Sequence, residues 1–130
     1  MSKNFNGRVV TRGNLSGDAV VFLKKTNFTK ILDDPTSQNE ITGKVLCIPG
    51  AVESVFGGLY LLTACKNGFA PSAILFSDSI DQETASGILL ASNWLGKTIT
   101  CVDQLGQPFL ESVKTGSKID IKDTGEVIIT

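Results

Sequence analysis

Three short apolar runs, separated by two segments with helical character, limit how this chain can fold. These runs, which have the length and composition of buried strands, are 43–48, 70–76 and 98–102. Between them, helices are predicted over 55–66 and 81–93. An alternating order of strands and helices is typical of parallel strands with helices packed against the sheet. The centre of the chain is therefore predicted to be α/β.

Both ends of the chain carry further strand patterns. The predicted strands are 5–12 and 18–23 near the amino terminus and 118–122 and 126–129 near the carboxyl terminus. Asp123-Thr124-Gly125 supplies turn residues for a hairpin between the last two strands, and a short helix is predicted over 109–114. Terminal β pairs thus flank the α/β centre.

Residues 24–40 are mostly polar and include Asp33-Asp34-Pro35, so they are predicted to form an excursion over the surface. This excursion is longer than most loops in compact domains, which favours a functional role or ordering by a partner. With 130 residues, the chain is predicted to be a single domain spanning 1–130.

The charge composition argues against nucleic acid and membrane partners. The chain has 12 basic and 13 acidic residues, well mixed along its length, and a formal net charge of -1. It shows neither a basic patch suited to phosphate backbones nor an apolar run long enough to span a bilayer. Because no signal peptide is recognised and the cysteines are odd in number, the protein is predicted to be cytoplasmic.

Histidine is absent from the sequence. Its absence removes the commonest general base, the Ser-His and Cys-His nucleophile pairs and the usual zinc ligands. The three cysteines, Cys47, Cys65 and Cys101, are far apart and form no C-x-x-C pair, so each is predicted to be a small buried apolar residue. We expect no metal site from this chain alone.

The stretch 48–58 places one hydroxyl, that of Ser54, between a predicted strand and a predicted helix. Free backbone N–H groups and the helix dipole at such a position favour an anion or an alkoxide, but serine is also a preferred N-cap residue, so both roles stay open. Glu53 is either a catalytic carboxylate or an acid placed near a helix start. Glycines in the first turns of a helix lower its stability, so Gly57 and Gly58 indicate close approach of another backbone or a ligand.

Two arginines, one acid and one tryptophan are further candidates. Arg8 and Arg12 are two strand pleats apart, so they would share a face and could clasp a carboxylate, although exposed strand arginines are common. Asp103, at the end of a predicted strand, could point into a cleft, but an acid before a turn is ordinary. Trp94 is predicted to be an anchor in the core or at an interface.

The order of these segments resembles the swivel domain of the aconitase X family. The likeness runs over nearly the whole chain and rests on an ordered series of short motifs. The series comprises Gly7-Arg8-Val9-Val10, Gly13, Gly17-Asp18-Ala19-Val20-Val21, Gly43-Lys44-Val45-Leu46, Pro49-Gly50, Ser54, Lys66-Asn67-Gly68-Phe69-Ala70-Pro71-Ser72-Ala73-Ile74, the helix over 85–91 and Val102-Asp103. The resemblance implies an α/β, swivelling β/β/α fold with a central, mostly parallel sheet, flanking helices and terminal β pairs.

The resemblance also implies a function. In this family the domain forms the small subunit, or the fused end, of dehydratases whose large part holds an iron-sulfur cluster with its cysteine ligands. A serine in the loop between strand and helix acts there as proton acceptor, and Ser54 is the residue that matches it. The residues predicted to contact the substrate are Gly50, Ala51, Val52, Glu53 and Arg12. The chain is expected to be a hydro-lyase subunit that binds no cofactor alone and acts only with an aconitase X-type large subunit.

Family members dehydrate small hydroxy acids, among them cis-3-hydroxy-L-proline and mevalonate 5-phosphate. The loop form Pro49-Gly50-Ala51-Val52 favours the hydroxyproline branch, with mevalonate 5-phosphate as the alternative. A non-catalytic interaction module of the same fold is a second alternative. A phosphohistidine carrier of similar topology is excluded because the chain has no histidine.

The chain departs from the family pattern at two places. Glu53 and Val55 flank Ser54 where the family commonly has a glycine and a second hydroxyl residue. An anion beside a group that must become anionic is opposed by Coulomb repulsion unless Glu53 points away or is paired. The other departure follows the second predicted strand, where Lys24-Lys25-Thr26-Asn27 replaces a Gly-Gly-Val-Asp-like segment.

Overall fold

The computed structural model describes residues 2–52 and 56–130, and the structural statements below refer to these. The strands in this part of the chain are β1 (Lys3–Asn6), β2 (Arg8–Thr11), β3 (Leu15–Val21), β4 (Val45–Ile48), β5 (Ala73–Phe76), β6 (Thr100–Asp103), β7 (Lys118–Ile121) and β8 (Glu126–Ile129). The helices are α1 (Phe28–Leu32), α2 (Pro35–Ile41), α3 (Gly57–Asn67), α4 (Gln82–Leu95) and α5 (Gln107–Ser112). All eight strands join one sheet in the order β1-β8-β7-β3-β4-β5-β6-β2.

The centre of the sheet is parallel, as predicted. Strands β3, β4, β5 and β6 pair in parallel with their neighbours, so that Val45 lies between Ala19 and Ala73, and Ala73 lies opposite Thr100. Every residue of β4, β5 and β6 is buried. Continuous apolar strands of this kind are expected where both faces of a parallel sheet are covered.

The amino-terminal segment links the two ends of the sheet and curls it nearly into a barrel. β1 pairs antiparallel with β8 at one end, and β2 pairs antiparallel with β6 at the other. Only Gly7 separates the two strands, and a Cβ atom there would clash with the Asp103 carbonyl oxygen. The single strand predicted over 5–12 is therefore two strands, because the chain crosses between the sheet ends at Gly7.

Two hydrophobic clusters lie on opposite faces of the parallel strands. One contains Ile74 with Leu61 of α3 and Ile88 of α4, and it lies between the sheet and the helices. The other contains Leu75 with Phe109 of α5 and residues of the antiparallel strands. Side chains of successive strand residues point to opposite faces, so neighbouring residues of one strand enter different clusters.

The three cysteines are free and buried, as the sequence predicts. Desolvation by burial raises the pKa of the Cys47 thiol to about 12 and also raises the pKa of Cys65 and Cys101. Thiolate is the reactive form of cysteine, so these side chains behave as apolar core residues.

The segment 24–40 lies largely at the surface, as predicted, but it contains α1 and α2, which the sequence analysis does not predict. Asn27 accepts a hydrogen bond from the Lys30 N–H and begins α1, and Asp34 accepts one from the Ser37 N–H and begins α2. Phe28 is buried within the helix-side cluster. These caps are recognisable in the sequence, but both helices are short and their apolar residues are few, so the periodic signal is weak.

Candidate functional site at the carboxyl edge of the parallel strands

The four parallel strands end along one edge of the sheet. β3, β4, β5 and β6 end at Val21, Ile48, Phe76 and Asp103, and the segments that follow them gather at this edge. In α/β sheets, ligands bind beyond the carboxyl ends of the strands, where loops and helix starts present polar groups. This edge is therefore the candidate site.

The loop that follows β4 begins in a fixed position. The Thr26 N–H donates to the Gly50 carbonyl at 2.9 Å, and the Val52 N–H donates to the Thr26 carbonyl at 2.8 Å. Ala51 forms a parallel bridge with Thr26 and is buried, whereas Val52 is 42% exposed. The structure thus brings Gly50, Ala51 and Val52, three residues predicted to contact substrate, to the carboxyl edge.

The segment that follows β5 supports the same loop from the other side. The Ser77 N–H donates to the Ile48 carbonyl and the Asp78 N–H donates to the Pro49 carbonyl, both at 3.1 Å. The start of the loop after β4 is therefore held between the segments that follow its two neighbouring strands.

Glu53 and Ser54 follow Val52 in the sequence but lie outside the described residues. The structure resumes at Phe56, which occupies the N-cap position of α3, and the helix begins at Gly57, two residues later than predicted. It ends with Gly68 in a left-handed conformation, at φ +81°. The predictions for Ser54 and Glu53 therefore stay predictions.

Gly58 has a structural reason to be glycine. A Cβ atom at Gly58 would clash with the Glu83 carbonyl oxygen, and one at Gly87 would clash with the backbone of Gly58. Helices α3 and α4 therefore touch through their backbones at Gly58 and Gly87. At Gly58, the predicted close approach is therefore that of a neighbouring helix.

Arg8 and Asp103 form an ion pair at the same edge. The Arg8 Nε donates to Asp103 Oδ1 at 2.9 Å and Nη2 donates to Oδ2 at 2.6 Å, while the Ile80 N–H donates to Oδ2 at 2.8 Å. The Asp103 side chain is fully buried and that of Arg8 is 54% exposed. These hydrogen bonds and the carboxylate charge raise the pKa of Arg8 above its ordinary value. Asp103 therefore anchors both Arg8 and the segment after β5.

Arg12 lies elsewhere. β2 runs antiparallel to β6, with Arg8 opposite Asp103 and Thr11 opposite Cys101, so the chain leaves the carboxyl edge before it reaches Arg12. The structure therefore does not bring Arg12 to Gly50–Val52, and the two arginines cannot clasp one small carboxylate. A bulge between Val9 and Thr11 also interrupts the alternation of side chains along β2, so Arg8 and Arg12 need not share a face of the sheet as predicted.

Three further features of the described residues concern metal ligands, membrane spans and Trp94. Within 2–52 and 56–130, no group of three His, Cys, Asp or Glu side chains could hold a metal ion. No helix among the described residues is long and apolar enough to cross a bilayer. Trp94 is 71% exposed, so the prediction that it is a core anchor is wrong, and the interface role stays a prediction.

Sequence reasoning missed how the candidate residues connect. Arg8 and Asp103 were separate candidates because their pairing depends on the register of β2 against β6. In the sequence, Thr26 stands out only as part of a departure from the family pattern, whereas in the structure it forms the hydrogen bonds that hold Gly50 and Val52. The two lysines directly before it, Lys24 and Lys25, are the sequence signal that marks this segment.

Comparisons with known proteins agree with this architecture. The family model described as the aconitase X swivel domain matches residues 4–130. A phosphomevalonate dehydratase small subunit from Archaeoglobus fulgidus is 30% identical, with 95% of this chain and 96% of that protein covered. A protein of the same name from Pyrococcus furiosus is 29% identical, over 95% of this chain and 92% of that one.

A solved structure shares the fold. The crystal structure of Thermococcus kodakaraensis aconitase X in its holo form superposes with a TM-score of 0.82 at 26% identity, over 98% of each chain. The predicted α/β swivel fold is thereby confirmed. With the family model matched from residue 4 to the last residue, this chain belongs to the aconitase X swivel domain family.

Proposed function

We propose that this chain is the small subunit of a two-subunit hydro-lyase and that Ser54 is the proton acceptor of its reaction. The observation that supports the proposal most is the match to relatives named small subunits over nearly their whole length. The segment Gly50–Val52, held at the carboxyl edge of the sheet, leads directly to Ser54.

Dehydration of a hydroxy acid needs a base that removes a proton next to a carboxylate and an acid that helps hydroxide leave. The described residues of this chain hold no cluster of metal ligands, and the three cysteines are buried in the core. The described residues therefore do not fit the ligand set of an iron-sulfur cluster. We assign the cluster to an aconitase X-type large subunit.

A serine oxygen is too basic to lose its proton in water, so its surroundings must stabilise the anion. Exclusion of water and nearby hydrogen-bond donors or cations strengthen such stabilisation. These conditions arise when the small subunit closes over the large one, which is the usual role of a mobile domain. The proposal thus requires the assembled complex for activity.

Mevalonate 5-phosphate is the substrate we propose. The relatives described above carry the phosphomevalonate name, which favours this alternative over cis-3-hydroxy-L-proline. The loop form Pro49-Gly50-Ala51-Val52 remains the argument for the hydroxyproline branch. Both compounds should be tested on the same preparation.

The test is dehydration by the chain assembled with its large subunit, with and without Ser54→Ala. A general base contributes about 10²- to 10⁴-fold, so kcat should fall by that amount while the complex still assembles. Ser16→Ala, on the exposed start of β3, is the matched control and should retain activity. Retained activity in Ser54→Ala would assign the chain to the non-catalytic module, and turnover by the isolated chain would refute the need for a large subunit.

A further inference from the structure

A positively charged cavity lies next to the candidate site. It has a volume of about 390 Å³, which is large enough for a small ligand, and it opens between the segment after β3 and helices α1 and α2. Lys24, Lys25 and Lys30 contribute to its wall, and Glu40 is the one carboxylate among the lining residues that the structure describes. At neutral pH these described lining residues have a surplus of two positive charges, which favours an anionic ligand.

A buried hydroxyl in the same wall lacks a partner. Thr26 is 4% exposed, and its Oγ1 atom makes no hydrogen bond within the described part of the chain. Buried polar groups are nearly always satisfied, by protein, water or ligand. An acceptor oxygen that enters the cavity would satisfy this hydroxyl.

The cavity wall is joined directly to the loop that leads to Ser54. The backbone of Thr26 bonds to Gly50 and Val52, and Ser54 follows Val52 by two residues. Two residues of extended chain span at most about 7 Å. The cavity therefore adjoins the described start of the chain segment that leads to Ser54.

We propose that this cavity binds the phosphate group of a phosphorylated small hydroxy acid through Lys24, Lys25 and the Thr26 hydroxyl. The inference rests on the proposed function, since it names the part of the site that selects a phosphorylated substrate. A phosphate monoester has a charge near −2 and three strong acceptor oxygens, which suit two ammonium groups and one hydroxyl donor. Lys24 and Lys25 replace glycines of the family pattern, so the assignment concerns this chain in particular.

The first test is direct binding to the full chain. Mevalonate 5-phosphate should bind more tightly than mevalonate, and its affinity should weaken as ionic strength rises. Inorganic phosphate should compete for the same site. Equal affinity for the two mevalonate compounds would overturn the proposal.

The second test compares two double variants of equal charge in the assembled complex. Lys24→Gln with Lys25→Gln should raise KM for the phosphorylated substrate roughly five- to fiftyfold and leave kcat nearly unchanged. Lys114→Gln with Lys122→Gln removes two exposed lysines outside the cavity lining and should leave KM within about twofold of wild type. Equal effects of both pairs would show a general charge effect and refute the site.

Two single variants sharpen the assignment. Thr26→Val keeps the side-chain shape but removes the hydroxyl, so KM should rise severalfold without loss of folding. Glu40→Gln removes the opposing carboxylate and should lower KM, because repulsion of the phosphate is relieved. An unchanged KM in both variants would refute the site.

The failure of this inference differs from failure of the proposed function. A wild-type complex that dehydrates neither compound, but a full chain that still binds the phosphate ester through Lys24 and Lys25, would refute the function and support the site. Normal dehydration by the wild-type complex, together with unchanged affinity of the Lys24→Gln and Lys25→Gln double variant for the phosphate ester, would support the function and refute the site. Loss of subunit assembly in that variant, with unchanged substrate affinity, would assign the lysines to docking and overturn the proposal.

Discussion

The parallel and antiparallel halves of the sheet bury their residues differently. β4, β5 and β6 are buried at every position, whereas β7 and β8 alternate between buried and more exposed residues. The parallel strands lead into long segments with helices, whereas residues 122–125 connect β7 to β8 by a short turn. The antiparallel half therefore closes and stabilises the curled sheet, while the parallel half provides the edge on which a site can be built.

The largest expected effect tests whether the antiparallel half is part of one cooperative core. Phe109 is fully buried and meets Phe5 of β1 edge to face, with ring centroids 5.5 Å apart. Phe109→Ala should lower the free energy of unfolding by about 4 kcal/mol, measured by urea denaturation. Phe69→Ala, at a residue 41% exposed, is the control and should cost about 1 kcal/mol or less. A loss below the control value would mean that this half contributes little to overall stability.

The next effect concerns the ion pair at the boundary between β6 and β2. Asp103→Ala removes the acceptor of Arg8 and leaves the Ile80 N–H without its partner. We expect a loss of about 3 kcal/mol in the same measurement. Asp120→Ala, on an antiparallel strand and only partly buried, should cost about 0.5 kcal/mol. Similar losses in both variants would contradict a special role for the buried carboxylate.

A smaller effect is expected where α3 meets α4. Gly→Ala inside a helix ordinarily stabilises it by about 1 kcal/mol, but a Cβ at Gly87 clashes with the Gly58 backbone. Gly87→Ala should therefore destabilise the protein by about 2 kcal/mol. Among the described residues, a Cβ at Gly50 meets no atom within 4 Å, so Gly50→Ala should leave thermal stability nearly unchanged. Stabilisation by Gly87→Ala would show that the two helices separate freely.

The smallest effect is a pH dependence in the antiparallel pairing of β3 with β7. A hydrogen bond from Lys118, followed by the charges of Lys118 and Lys44, lowers the pKa of Asp18 below its ordinary 3.8. Stability from this carboxylate is therefore complete above the unfolded pKa and is lost as pH falls through the lower native pKa. Asp18→Asn should flatten the decline of the urea midpoint below about pH 4, and more so at low salt. If the urea midpoint of Asp18→Asn fell with pH as steeply as that of the wild type, a contribution of the Asp18 carboxylate to stability would be excluded.

Much of the fold could be predicted because its signals are local. The apolar runs at β4, β5 and β6 and the acidic start of α4 after Asp81 are visible in sequence, and the order of elements follows from them. The loop leading to Ser54 could be singled out for the same reason. The short capped helices α1 and α2 were missed because five- and seven-residue helices carry too little periodicity.

The sequence by itself determined the alternating strands and helices at the centre of the chain, β4, α3, β5, α4 and β6, and it marked the loop after β4. Tertiary structure alone decided that Arg8 meets Asp103, that Arg12 leaves the site, and that Thr26 holds Gly50–Val52 beside a lysine-lined cavity. The physical reason is distance along the chain. Local patterns depend on residues three or four positions apart, whereas these contacts depend on strand register and sheet closure, which no short window of sequence contains.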